Sequence, residues 1–274
     1  MKIGILTFHR SINYGAVTQC YTLATEIQRR FPADTVEVID YAPKYRIEKY
    51  IPSLKKLIFG STNKKNGLLL NTKIVISQIQ RIIQQPEYLM LEKRRYQAFQ
   101  ESMECLPLSK EQYSYNDVDM LRKAIYGMYD VIVVGSDCVW EWTSVPLPNA
   151  YYLCGDFGAR KVSFAASAGT DQVSRLENNE RQLLQESISD FAYVGVRDTS
   201  TEYVLKQLKI PELKWNHNCD PTTFLDVSVL LPYKEKVQAK LSKLSIPRNK
   251  IVIGIMGCEK YGAMARRIFG DEAV

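Results

Sequence analysis

The sequence predicts an α/β protein: a Rossmann-like parallel sheet with helices on both faces. Three observations carry this. Short β-branched runs recur along the 274-residue chain, at 2–6, 36–40, 131–134, 161–167 and 193–196. Stretches with helical periodicity separate them, which favours parallel crossovers. The run Val131-Ile132-Val133-Val134 shows no apolar–polar alternation, so both its faces should be dry, as in a central parallel strand.

Lys2 to Leu6 reads as the first strand and Thr7 to Tyr14 as a polar loop. Gly15 to Arg30 follows as a helix, with apolar positions 16, 17, 20, 23, 24 and 27 on one face and Asn13 as its cap. Val36 to Asp40 is the second strand, completing a βαβ unit.

A basic insertion comes next, spanning 44–105. Between Lys44 and Arg95 twelve Lys/Arg face only Glu48, Glu87 and Glu92, so this segment carries +9 while the whole chain carries +6. Leu54–Phe59, Leu68–Ile83 and Pro86–Met103 read as helices within it. The favoured reading is a solvated helical hairpin covering the sheet. The sharper reading is a surface for anionic lipid of the inner membrane, or for an acidic glycan. Tyr45, Tyr50 and Phe59 accompany the charge, but no RNA-binding motif does, so nucleic acid is disfavoured.

Asp117 to Tyr126 reads as a helix feeding the strand at 131–134. Strands at 161–167 and 193–196 alternate with helices at 173–188 and 199–208, and 214–218 leads into Cys219-Asp220-Pro221. A first domain over 1–230 is therefore expected. The helix at 231–244, the strand at 250–256 and the helix at 261–269 would begin a second α/β unit, and the expectation is a truncated or rudimentary second domain over 231–274.

Six cysteines stand at 20, 105, 138, 154, 219 and 258 without CxxC or finger spacing, so a zinc site is not expected and free thiols in a reducing cytosol are. The N-terminus lacks a signal-peptide pattern and no apolar run reaches about eighteen residues. A cytoplasmic protein is expected.

In open α/β sheets ligands sit at the carboxyl ends of the strands, and polar residues gather there. In the first loop His9 reads as an acid–base group or a loop hydrogen-bonder. Asn13, Tyr14 and Gly15 open a helix N-terminus, which favours anions. There is no GK[ST] and no GxGxxG. After the 131–134 strand, Ser136 offers a hydroxyl, and Asp137 reads as a base for a substrate hydroxyl or as a turn cap. Trp140 reads as a sugar-stacking platform or a core aromatic. Ser167 ends the next strand. Arg197 reads as an anion holder or as the partner of Asp198 or another local acid. His217 and Asp220 read as structural. Ser136 is not in GxSxG, so no nucleophile elbow is marked.

Six segments in order resemble the polysaccharide pyruvyl transferase family: KIGILTFHRSINYGAVTQCYTL at 2–23, VVGSDCVW at 133–140, YYLCGDF at 151–157, KVSFAASAGT at 161–170, VGVRDTST at 194–201 and CDPTTFL at 219–225. The resemblance implies a GT-B-like architecture of two Rossmann-like domains, with the second largely missing here. It implies transfer of a pyruvyl group from phosphoenolpyruvate to paired hydroxyls of a sugar or lipid-linked oligosaccharide, with no cofactor and no metal. The matching positions are His9, Asn13, Tyr14, Gly15, Ser136, Asp137, Trp140, Ser167, Arg197 and Asp198, with Asp137 and His9 as the catalytic candidates. Cys138 departs from the family, which often has Gln there. The missing half would carry the basic and histidine residues that bind the donor. A GT-B glycosyltransferase using a nucleotide sugar and a non-catalytic sugar-binding module stand as alternatives.

Overall fold

The computed structural model describes residues 1–61, 67–143 and 145–226, with single positions 228, 235, 239 and 242 beyond. The chain divides into two compact units, Met1–Phe224 and Leu225–Val274. The first is described here. The elements expected at 231–244, 250–256 and 261–269 lie outside the described residues apart from those single positions.

Six strands form one parallel sheet in the order β2-β1-β3-β4-β5-β6. They are β1 Lys2–Leu6, β2 Thr35–Val38, β3 Val131–Val134, β4 Arg160–Ala166, β5 Tyr193–Val196 and β6 Trp215–His217. In register, Ile5 lies between Val38 on one side and Val133 on the other. The strand order reverses between β1 and β3. In this topology that is the switch point where the flanking loops splay apart and leave a crevice.

Helix α1 (Tyr14–Arg30) forms where expected. Asn13 caps it, its side chain accepting from the Gly15 amide at 2.9 Å, and Arg29 and Arg30 occupy the last turn, where cations favour the helix dipole. Helices α6 (Val118–Ile125), α7 (Asn178–Ser189) and α8 (Thr199–Leu208) pack with Leu6, Ile132, Val134, Val194 and Val196 on one face of the sheet. Helix α1 covers Ile3, Ile5, Val36 and Val38 on the other. That second face is less covered over β3 to β5, where an open apolar groove of about 420 Å³ runs past Val131, Val162, Phe164 and Tyr193. Strand β3 obeys the dry-strand reading on both sides: Ile132 and Val134 turn to one core and Val133 to the other.

Two expectations shift. The helix read over 173–188 is a short turn at Val173–Arg175 and then α7, because Glu177 and Glu180 form a capping box that restarts the helix. β2 ends at Val38, and Asp40 leaves the ladder to pair its carboxylate with side chains.

The insertion is four helices: α2 (Lys44–Tyr50), α3 (Leu54–Phe59), α4 (Leu68–Gln84) and α5 (Tyr88–Ser102). The expected sheet-covering hairpin is realised only at its end. Phe99 of α5 and the following Met103 enter the core beneath α1, whereas α2, α3 and α4 contain no buried residue.

Candidate functional site

The loops after β1 and β3, on either side of the switch point, bring most of the sequence candidates together. Thr7 ties them, donating its hydroxyl to the Ser136 carbonyl at 2.9 Å. Ser136 is buried and hydrogen-bonds Gln19 of α1. Asp137 holds a left-handed backbone, φ +85°, which non-glycine residues other than Asn and Asp seldom adopt. The strand neighbour pins it there: the Ser167 amide donates to the Asp137 carbonyl at 2.9 Å. Its carboxylate Oδ1 accepts from the Cys138 amide at 2.8 Å. Among the described residues no hydrogen bond is recorded for Oδ2. The surroundings hold this conformation, and the side chain is half-buried at the strand end.

Trp140 does not line the crevice. It is 1% exposed, its indole donates to the Tyr151 carbonyl at 3.0 Å, and its ring stacks on Tyr152 at 5.8 Å. A sugar platform needs an open ring face, and both faces here belong to the core, so the platform reading is corrected to the core aromatic.

His9 is likewise corrected as an acid–base group. It is fully buried, with Nε2 3.1 Å from Asp40 Oδ1 and Nδ1 3.3 Å from the Thr7 carbonyl. Both nitrogens are committed, leaving none to meet a substrate. Arg10 also grips Asp40, through Nε and through Nη2 at 2.5 Å. Burial alone would raise the Asp40 carboxyl, but the hydrogen bonds from Arg10 and His9 outweigh it and hold the group below the usual range. The trio is a buried clasp between β1 and β2.

The other candidates divide. Asn13 is the α1 cap, and Tyr14 is exposed beside it, its ring edge toward Phe99 at 5.9 Å. The Gly15 amide, in the first turn of the helix, donates to the Asn13 side chain at 2.9 Å. Ser167 is buried; its hydroxyl accepts from the Gly169 amide at 3.1 Å. Asp198 caps α8, accepting from the Thr201 amide and hydroxyl at 2.8 and 2.7 Å. Burial would raise its carboxyl, and hydrogen bonds from Ser167, Thr201 and Ser200 bring it below the usual range instead. Arg197 does not pair with Asp198. It reaches Asp220 at 3.1 Å and the Cys138 sulfur at 3.5 Å, and so sits beside Asp137 at the same edge. His217 pairs with Glu202 at 3.0 Å on the exposed rim.

The structure adds residues that the sequence reading missed. Arg46 of α2 lays its guanidinium over the Phe8 ring, 3.7 Å from the centroid. Phe8 in turn meets Tyr151 edge-on at 4.6 Å. Burial raises the Tyr151 phenol far above its ordinary range; Tyr41, Tyr45 and Asp137 push it the same way and Arg46 opposes them. Four buried polar atoms have no partner among the described residues: Ser11 Oγ, Gln19 Nε2, Arg46 Nη1 and Trp142 Nε1. All four belong to segments that leave, or directly contact, the carboxyl ends of β1, β2 and β3. Buried polar atoms are nearly always satisfied, so these four are exceptions to the rule. The available signal for Arg46 was positional: it lies five residues beyond Tyr41, at the end of the strand next to β1.

Among the described residues no three His, Cys, Asp or Glu side chains converge as a metal ion would require. No helix among them is long and apolar enough to cross a membrane.

An open parallel α/β domain gathers its functional loops at the carboxyl ends of its strands, beside the switch point. The comparison with known families narrows this. The polysaccharide pyruvyl transferase model matches residues 13–266, nearly the whole chain, and the chain belongs to that transferase family. No curated protein and no solved structure matches it.

Proposed function

We propose that this protein moves a pyruvyl group from phosphoenolpyruvate onto two hydroxyls of a sugar, forming a cyclic ketal and releasing phosphate. The observation that carries this reading is the family match over residues 13–266. The crevice chemistry supports it. The donor's methylene carbon takes a proton, and its C2 becomes electrophilic. One sugar hydroxyl adds to C2 and loses its proton. The second hydroxyl replaces phosphate at C2, and its proton leaves with the phosphate. Donor and diol thus become ketal and inorganic phosphate with no oxidant and no hydrolysis.

In this reading Asp137 receives a proton from the attacking hydroxyl, as general base. Arg46 and Arg197 hold donor anions; a guanidinium pairs bidentately with a carboxylate or a phosphate. The α1 N-terminus at Asn13, Tyr14 and Gly15 adds dipole support. Ser136, Ser167 and Trp140 shape the wall from behind. The setting is cytoplasmic, in assembly of a cell-surface polysaccharide, with a sugar or lipid-linked oligosaccharide as acceptor.

The test incubates the protein with phosphoenolpyruvate and a panel of sugar diols, reading phosphate release and the mass of the ketal. Asp137→Asn should lower kcat by about 10²–10⁴-fold. Arg46→Ala should raise KM for the donor by about 10–100-fold. An Asp137→Asn protein of unchanged rate reduces Asp137 to a turn residue. No phosphate release with any acceptor sinks the reading.

A further inference from the structure

Helix α4 is unusual for a helix of a globular domain. Its sequence, LLLNTKIVISQIQRIIQ, is apolar around much of its circumference, and none of it is buried. At 100° per residue, Leu68, Leu69, Ile76, Ile79 and Ile83 share an arc of about 100°. Leu69 is 81% exposed and Ile83 71%, with Leu68, Ile76 and Ile79 also open to solvent. Ile74, Val75 and Ile82 lie on the adjoining arc and are half-covered. The exposed arc is therefore a second apolar face that no described residue covers. Leu54 of α3, which packs against α4, is also about half exposed.

The charge around this face is mainly positive, with Glu92 of α5 as an acid beside Lys56 and Leu57. α3 and α4 contain no acidic residue. Lys55, Lys56, Lys73 and Arg81 are all exposed, and Lys93 and Arg94 of α5 add two more cations. We infer that the α3–α4 surface docks in the plane of an anionic lipid bilayer, its apolar arc among the acyl chains and its cations on the headgroups. This inference does not rest on the pyruvyl-transfer reading.

The charge selects the bilayer over the other occupants. An isologous pairing of two copies through this arc would set Lys73 of each copy at the seam, with no acid on α3 or α4 to answer it. An acidic glycan would answer the charge and leave the isoleucines in water. An anionic membrane surface satisfies both, with apolar burial and headgroup attraction acting together.

The test co-sediments the full chain with vesicles of phosphatidylcholine alone and of phosphatidylcholine mixed with phosphatidylglycerol. Binding is expected to the mixed vesicles, to be much weaker to the neutral ones, and to fall as salt rises. Replacing Lys55, Lys56 and Lys73 together by Gln should weaken it on the order of a hundredfold. The double substitution Ile76→Glu/Ile83→Glu should weaken it at least about tenfold. Both variants should keep the wild-type thermal unfolding, since every altered side chain is exposed. Three results overturn the inference: no binding to mixed vesicles; binding that is indifferent to the isoleucine changes, as for an acidic polymer; or a dimer in vesicle-free solution that Ile76→Glu dissociates.

Discussion

Helices α1 and α4 are each seventeen residues long and each carries an apolar stripe, yet they end in opposite places. α1 buries Ala16, Val17, Cys20, Leu23 and Ala24 against β1 and β2, and α4 buries nothing. Their difference is one of partners and ends. α1 is joined to strands at both ends, so the ladder holds its stripe against the sheet. α4 sits between Gly67, which offers no capping side chain, and Gln85. Amphipathicity sets which face a helix would bury; the neighbouring strands decide whether there is anything to bury it on.

The largest expected contrast comes from truncating one apolar residue in each helix. Leu23 is 2% exposed, so Leu23→Ala should cost about 3–5 kcal/mol through lost transfer and the cavity left behind. Ile76→Ala should fall within about 0.5 kcal/mol. Urea unfolding of both variants reads the comparison, and a costly Ile76→Ala would show that α4 is packed after all.

The strands and their edge were legible because β-branched runs without alternation have few other uses. β1, β3 and β5 fall where those runs begin and end. What was not legible is which way a side chain turns once the strand stops. Trp140 and His9 have the residue types of a sugar site, and both point into the core, where Tyr152 and Asp40 meet them. Arg46 was hidden differently. It is one cation among the twelve of the insertion, and only the short span from the end of β2 places it at the crevice. The second face of α4 was missed because helical periodicity reads the same for an occupied face and a vacant one.

A second contrast sets ion pairs side by side. The Asp40 clasp is buried, while Glu92 and Arg95 of α5 are 4.0 Å apart at the surface. Asp40→Asn should cost about 2–3 kcal/mol near neutral pH, the value of charge-assisted hydrogen bonds. Because the folded carboxyl lies below its ordinary value, the clasp contributes fully above the usual range near 3.9. That contribution is lost as pH falls through the lower folded value. Asp40→Asn should therefore flatten stability against pH on the acid side, seen in urea unfolding at a series of pH values. Glu92→Gln should cost less than about 1 kcal/mol at neutral pH, as exposed ion pairs do.

The smallest contrast concerns caps. Asp198→Ala removes three hydrogen bonds at the start of α8 and should cost about 1–2 kcal/mol. Gly67→Asp at the start of α4 meets open space and should raise helicity by circular dichroism, with at most about 0.5 kcal/mol gained in global stability.

The register of β1 also bears on how fast the chain folds. Ile3 pairs with Val36 on one side and with Val131 on the other, and the whole insertion lies inside the second of these loops. Closing a longer loop adds only about 0.6 kcal/mol for each doubling of its length, so the insertion barely touches equilibrium stability. It lengthens the separation of contacts that must meet, which slows the docking of β3. On the ribosome β1 and β2 emerge and can pair early, and then hold an unfinished edge while about ninety residues more are made. During that interval the edge of β1 is an open template, and shortening the insertion should speed refolding far more than it changes the folded state.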